Sequence, residues 1–462
     1  MKFVTTFSLF CVLAIQSVSS MPISIQNSES ESVKKFIRLN TYKSTASTST
    51  KRLVRRQSED VEQTLDNSDD EAYYIDLEVG SNKQKITAQL DTGSSDFFVF
   101  GSNEANCGDT SKADCATYGK FNSSSSTTFK KLNGVSLDVS YGSGAGATGY
   151  VGTDNVVLDG TTVSNVTFGV TTSADTVAPL IGVGYQALSA MTYDDSQYHS
   201  DGFPFALADA GVIHIPAFSV SLMDHDDTDE VNSTVTFGAY DTTRYVGSLY
   251  KMPIPHEEGK ATYRIGTTLN GISIASYGNS SYGNSSSSSS TTLKWIAKGS
   301  QFVQLDTGSS VSNMPVAAYD YIGKTYFGSQ DSSSTYHGSC DSLKNHTLYF
   351  NFLGMAYPVP LTTLSSTYNG DDSQCQFDAV PSYSGTMCIL GDNFLKNVYV
   401  VVDLKNNEVA LGSSVGVDYA DTASPDFVEI VDSIPNAINA PNFDSAWTFN
   451  NSDTLSLVDG LK

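Results

Sequence analysis

Seven residues occur twice in this chain: Gln89-Leu90-Asp91-Thr92-Gly93-Ser94-Ser95 and Gln304-Leu305-Asp306-Thr307-Gly308-Ser309-Ser310. With average residue usage, two identical heptapeptides arise by chance in under about one such chain in a thousand. Each copy sets one carboxylate on a glycine turn just past a strand-like run. Two carboxylates brought together cannot both ionise cheaply, so one keeps its proton while the other is charged. Such a pair can hold a water between them. The charged member takes the water's proton and the protonated member polarises a carbonyl. Peptide hydrolysis then needs neither a metal nor a covalent intermediate. Gly93 and Gly308 let the backbone come close to the carboxylates. Ser94 and Ser309 can donate hydrogen bonds to the outer carboxylate oxygens, and Thr92 and Thr307 count as further support of the two turns.

The elements that must carry these turns read as β. Ala72–Val79 and Lys85–Leu90 alternate in period two or carry β-formers, and Gly, Asn, Asp and Ser clusters punctuate the body every ten or so residues. Helical periodicity is scarce, with one short candidate at Phe205–Ala210. An all-β chain with few short helices is expected. The repeat extends beyond the heptapeptides: Leu180-Ile181-Gly182 follows Asp91, and Ile389-Leu390-Gly391 follows Asp306 at a similar spacing. Two similar lobes, each presenting one carboxylate, are therefore expected.

The chain has 462 residues, enough for two or three domain-sized units. Only 16% of residues are charged, against a usual quarter, and Ser, Thr, Gly and Tyr fill the gap. The net charge of −24 repels phosphate backbones and argues against a nucleic-acid partner. Six His and six Cys exclude a Cys/His-rich zinc array. No metal-ligand constellation, nucleotide loop or oligomerisation motif stands out, so no cofactor, no metal and a monomer are expected.

The ends differ from the body. Residues 1–20 read as a signal peptide: Lys2, a mostly apolar run, then small residues. Residues 21–56 are Ser/Thr-rich and basic, ending Lys51-Arg52-Leu53-Val54-Arg55-Arg56. The first 56 residues hold nine Lys/Arg and two Asp/Glu; 26 minus 9 leaves 17 basic residues beyond them, and 50 minus 2 leaves 48 acidic ones. A basic pro-segment on an acidic body suggests a charge-held mask that acid would loosen. Dibasic cleavage would start the mature chain near Gln57. Residues 57–245 and 246–415 are read as the two lobes, and 416–462 as an acidic extension with eight Asp/Glu and one Lys. No terminal apolar run has the length of a membrane or lipid-anchor signal. The Ser276–Thr292 stretch repeats Ser-Tyr-Gly-Asn-Ser and then runs on in Ser and Thr, as a flexible surface loop would. Sequons at Asn122, Asn165, Asn232, Asn279, Asn284, Asn345 and Asn450 are candidate glycan sites.

Taken with Tyr141-Gly142-Ser143-Gly144, Thr236-Phe237-Gly238 and Ile389-Leu-Gly-Asp-Asn-Phe-Leu395, the paired Asp-Thr-Gly-Ser elements make the chain resemble the pepsin-family aspartic proteases, closest to the secreted candidapepsins and yapsins of yeast. The resemblance covers roughly Tyr73–Gly412. It implies a bilobal all-β fold with a cleft between barrel-like lobes, a secreted acid-active endopeptidase made as a zymogen, protein or peptide substrates, and inhibition by pepstatin. It implies Asp91 and Asp306 as the catalytic pair. Tyr141 would be the tyrosine of a flap, a hairpin over the bound peptide, with Gly142 and Gly144 of the hairpin and Gly93 and Gly308 of the two turns beside the substrate. It implies disulfides Cys107–Cys115 and Cys340–Cys375. Cys388, beside an apolar stretch, is expected as a buried thiol. Where relatives carry Trp after the first motif this chain has Phe98, which removes an indole N–H that could fix the flap tyrosine. Two other functions are compatible with paired carboxylates: a bilobal peptide-binding protein that does not cut, and a two-carboxylate glycosidase. The latter would not need matched Asp-Thr-Gly turns.

Overall fold

Alternation of apolar and polar residues builds the sheets that carry the two turns. In Lys130–Ser140 the residues Val135, Leu137 and Val139 are buried while Ser136, Asp138 and Ser140 are exposed, the pattern of a strand with one wet face. Val398–Asp403 is buried at every position, as a run of β-branched residues must be when both faces are covered. The protein is described by a computed structural model. It describes residues 35–45, 71–142, 144–193, 196–198, 202–223, 233–256, 262, 264–277, 291–383, 387–415, 424–448, 455–458 and 461. The expected signal peptide, the remainder of the expected pro-segment, the Ser-rich centre of residues 278–290 and the sequons at Asn232, Asn279, Asn284 and Asn450 lie outside the described residues.

The N-terminal half forms a ten-stranded sheet. Its centre holds the strands Phe97–Phe100, Leu180–Gly182, Gln84–Asp91 and Glu71–Val79 in that order, and the long hairpin Lys130–Ser140/Gly146–Leu158 joins it through Thr161–Ala174. The C-terminal half repeats the plan in a six-stranded sheet, with Gly266–Tyr277 and Thr291–Leu305 at its centre. A seven-stranded sheet takes strands from both halves, among them Ala217–Ser221, Thr234–Phe237, Val398–Asp403 and Glu408–Ser414. This is the all-β, bilobal, pepsin-like architecture. The short helix is Phe203–Asp209, two residues earlier at its start than the Phe205–Ala210 expectation, because Pro204 suits a first helical turn.

Segments from both end regions of the chain are built into the body. Ile37–Asn40 adds to the seven-stranded sheet beside Thr234–Phe237, and Tyr42–Thr45 adds to the ten-stranded sheet beside Glu71–Val79. Near the other end, Phe427–Glu429 pairs with Ala239–Asp241, and Trp447 is buried. The described part of the acidic extension therefore supplies core residues such as Ile430 and Ile434 as well as charge. Asn122, Asn165 and Asn345 are exposed.

Cys107 is bonded to Cys115 and Cys340 to Cys375. Cys388 is free and buried, and burial pushes its thiol up to about 12. Loop closure scales the worth of each bridge. The Cys340–Cys375 pair spans 35 residues and the Cys107–Cys115 pair 8. Removing the former by paired Ser substitution is expected to cost about 4 kcal/mol, and removing the latter about 2.5 kcal/mol. Urea midpoints of the two double variants check this, and a larger loss from the shorter loop would refute the ranking.

Candidate active site

The two heptapeptides meet at the centre of the fold. Asp91 ends the strand Gln84–Asp91, and Asp306 follows the strand Thr291–Leu305 directly. Each strand is flanked in parallel by its apolar-apolar-Gly segment. Gln89, Leu90 and Asp91 pair with Leu180, Ile181 and Gly182, and Gln304 and Leu305 pair with Ile389 and Leu390. The main chain ties each aspartate to its flanking segment, though through different groups: Val183 N–H donates to Asp91 O at 3.0 Å, and Asp306 N–H to Leu390 O at 3.0 Å.

Both carboxylates are buried, at 4% and 3% exposure. Gly93 N–H donates to Asp91 Oδ1 at 2.7 Å and Gly308 N–H to Asp306 Oδ1 at 2.9 Å. The Ser94 hydroxyl donates to Asp91 Oδ2, and Ser309 Oγ to Asp306 Oδ2 at 3.1 Å. Each glycine also abuts the opposing carboxylate: a Cβ on Gly93 would stand 2.2 Å from Asp306 Oδ1, and one on Gly308 2.5 Å from Asp91 Oδ1. Burial first, then the Asp91 charge and a hydrogen bond with Asp91, hold the Asp306 carboxyl well above the usual carboxylate range. A buried pair in this arrangement shares one proton over a wide pH span. It can activate a water with one member and protonate a carbonyl oxygen with the other.

Thr92 and Thr307 lock the two turns together. Thr92 Oγ1 donates to Leu305 O at 2.8 Å and accepts from Thr307 N–H at 3.0 Å; Thr307 Oγ1 donates to Leu90 O at 2.8 Å and accepts from Thr92 N–H at 3.1 Å. Removing one hydroxyl strands a buried N–H and a buried carbonyl. Thr92→Val is therefore expected to cost about 1–3 kcal/mol, with Thr92→Ser recovering most of it. An unchanged urea midpoint in Thr92→Val would refute the lock.

The hairpin tip lies over the pair. Tyr141 N–H donates to Ala145 O at 2.8 Å and Gly144 N–H to Tyr141 O at 2.9 Å, and Gly144 takes φ +83°, which a residue with a Cβ rarely adopts. Tyr141 is buried among Phe98, Leu180, Val139 and Met191. Tyr141 and Leu180 line the small cavity that holds Asp91, Gly93, Ser94, Asp306 and Gly308. Gly142 and Gly144 follow Tyr141 in the tip, outside that lining.

Two supporting residues escaped the sequence reading. Gln304 Nε2 donates to Gly93 O at 3.0 Å, and Arg264 donates to Gln304 Oε1 at 2.6 Å, so a buried chain from the second half braces the turn of the first. The glutamine at the same place in both heptapeptides was a signal for the first; nothing in the sequence marks Arg264. Leu180, from the apolar segment that follows the first motif, also faces the carboxylates.

Comparison with known proteins agrees with this arrangement. Residues 72–414 match the family model of the eukaryotic aspartyl proteases. Aspartic proteinase 3 of Saccharomyces cerevisiae is 27% identical, with 88% of this chain and 80% of that protein covered. Aspartic proteinase yapsin-3 of the same yeast is 29% identical over 81% of this chain and 72% of its own. An acid protease of Saccharomycopsis fibuligera is 27% identical, over 78% and 85%. Among solved structures, an aspartic proteinase from Irpex lacteus superposes with a TM-score of 0.57 at 22% identity, covering 74% of this chain and 94% of that one.

Proposed function

Because this chain belongs to the eukaryotic aspartyl protease family, is an aspartic endopeptidase and resembles the yapsins within that family, we propose that Asp91 and Asp306 are its catalytic pair. The observation that carries this reading is the meeting of the two buried carboxylates across paired glycine turns. In the working state the two share one proton. A water between them gives a proton to the charged carboxylate while its oxygen attacks the peptide carbon. The protonated carboxyl hydrogen-bonds to the carbonyl oxygen and transfers its proton as that oxygen gains charge. The tetrahedral diol then collapses, the C–N bond breaks, and the leaving nitrogen takes a proton from the pair. Tyr141, Gly142 and Gly144 form the flap that closes on the substrate backbone and excludes water.

The enzyme is secreted and made as a zymogen in this reading. Supporting it are the signal-like first 20 residues, the dibasic run ending at Arg56, and two disulfides, which persist in oxidising compartments. Among the described residues no helix is long and apolar enough to cross a membrane. Activity in acid is supported by the likeness to an acid protease of Saccharomycopsis fibuligera, and the pair keeps its shared proton throughout that range. The test is hydrolysis of denatured haemoglobin from pH 2 to 7 with and without pepstatin. An acid optimum abolished by the inhibitor is expected. No cleavage by processed protein would favour a peptide-binding role.

A further inference from the structure

The strand pair Ile37–Asn40 and Tyr42–Thr45 lies upstream of the dibasic run at residues 51–56, in the segment that processing would be expected to discard. Yet it is built like a permanent part of the body. Ile37 and Leu39 are buried in the main core, and Thr41, between the strands, is fully buried, its N–H donating to Ser233 O at 2.9 Å. Ile37 to Asn40 run in register with Phe237 to Thr234, and Tyr42 to Thr45 with Tyr74 to Glu71. The first strand also has its own seat beside the other end of the chain. The Phe36 ring lies 4.8 Å from that of Phe427, and the Arg38 guanidinium 5.9 Å from the same ring. Burial first, then the Arg244 charge, hold the Arg38 guanidinium below its ordinary value, with Asp241 and Tyr399 opposing that shift. The compact unit begins at Lys35.

Emptying this seat would unpair the edge of Thr234–Phe237 and open a gap where Ile37 and Leu39 fill the core. The segment that would head the mature chain is poorly suited to refill it. Residues 57–70 carry only two apolar side chains, Val61 and Leu65, four positions apart, where the seat takes two that are two apart. They also carry six carboxylates: Glu59, Asp60, Glu62, Asp66, Asp69 and Asp70. Nor does the described part of the strand pair line the cavity of the carboxylates.

Resting on the processing step proposed above, we infer that cutting after Arg56 does not release Lys35–Thr45: the strand pair stays in both sheets as a small, non-covalently held second chain of the active enzyme. No cysteine lies between residues 21 and 56, so no disulfide could hold it. The test replaces residues 51–56 with the recognition sequence of a sequence-specific protease, in the Asp306→Asn background so that the protein cannot digest itself. The purified, folded protein is cut, passed over a gel-filtration column at pH 4 and at pH 7, and weighed by mass spectrometry. Native spectra are expected to give the body plus the upstream peptide at both pH values, and denaturing spectra to give the two separately. Leu39→Ala should raise the fraction of free peptide several-fold without unfolding the uncut protein. A body that emerges from the column without its peptide at either pH overturns the inference. Natural processing is read separately: a secreted protein whose first residue is Met21 would remove the Arg56 cut and leave the retention measurement standing.

Discussion

Asp306→Asn is expected to lower kcat/KM on denatured haemoglobin by about 10³- to 10⁴-fold while raising thermal stability near neutral pH. The two effects share a cause. The Asp306 carboxyl is buried against Asp91, so its proton is held well above the usual carboxylate range. An amide keeps the shape and cannot pass a proton, so one half of the acid–base exchange is lost. The stability effect follows from linkage. Unfolded Asp releases its proton near pH 4, whereas folded Asp306 keeps it, so the folded state binds more protons in between. Stability from this group is fully present below about pH 4 and is lost as pH rises through the raised folded value. Wild type should therefore melt at progressively lower temperature from pH 4 upward, and Asp306→Asn should flatten that decline. Calorimetry across pH on both proteins reads it. Parallel curves would mean that the proton of the pair is not held where the geometry puts it, and unchanged hydrolysis would remove Asp306 from the mechanism.

Gly93→Ala is expected to cost about 100-fold or more in kcat/KM from a single added methyl. That methyl would stand 2.2 Å from Oδ1, 2.3 Å from Cγ and 2.5 Å from Oδ2 of Asp306, so the carboxylate must retreat by about 1 Å, the scale at which misplaced catalytic groups lose about two orders of magnitude. Gly308→Ala presses on Asp91 Oδ1 from the other side at 2.5 Å and should behave alike. Gly108→Ala is the control, since nothing lies within 4 Å of a Cβ there. The loss should fall mainly on kcat, because the flap and the apolar cluster around Tyr141 are untouched. A Gly93→Ala enzyme with wild-type kcat would show that the turns are not in contact in the working enzyme.

The chemistry was legible because it sits in short, local words. Asp-Thr-Gly-Ser specifies a turn, a carboxylate and its own hydrogen-bond donors within four residues, and the structure finds Ser94 and Ser309 on the outer oxygens as the residues suggest. The glycine-rich stretch Tyr141–Gly144 likewise has the local chemistry of a hairpin tip. What escaped depends on distant partners. Gln304 reaches Gly93, and Arg264 reaches Gln304, but neither contact has a pattern in its own neighbourhood. Leu180 lies in an apolar stretch with no local mark of function, and only the cavity reveals that it faces the carboxylates.

By itself, the sequence determined the class of strand-rich body, the repeated carboxylate turns and the glycines they require, since each follows from residue chemistry over a few positions. The tertiary structure alone decided that the two turns touch, that each glycine is small for the sake of the opposite aspartate, and that Ile37–Asn40 belongs to the body's sheets. The physical reason is common to all three. Composition and charge had assigned residues 21–56 to one removable piece, but a strand's place is set by an unpaired edge and an apolar gap elsewhere in the fold, here beside Thr234–Phe237, and no window of sequence contains both sides of such a contact.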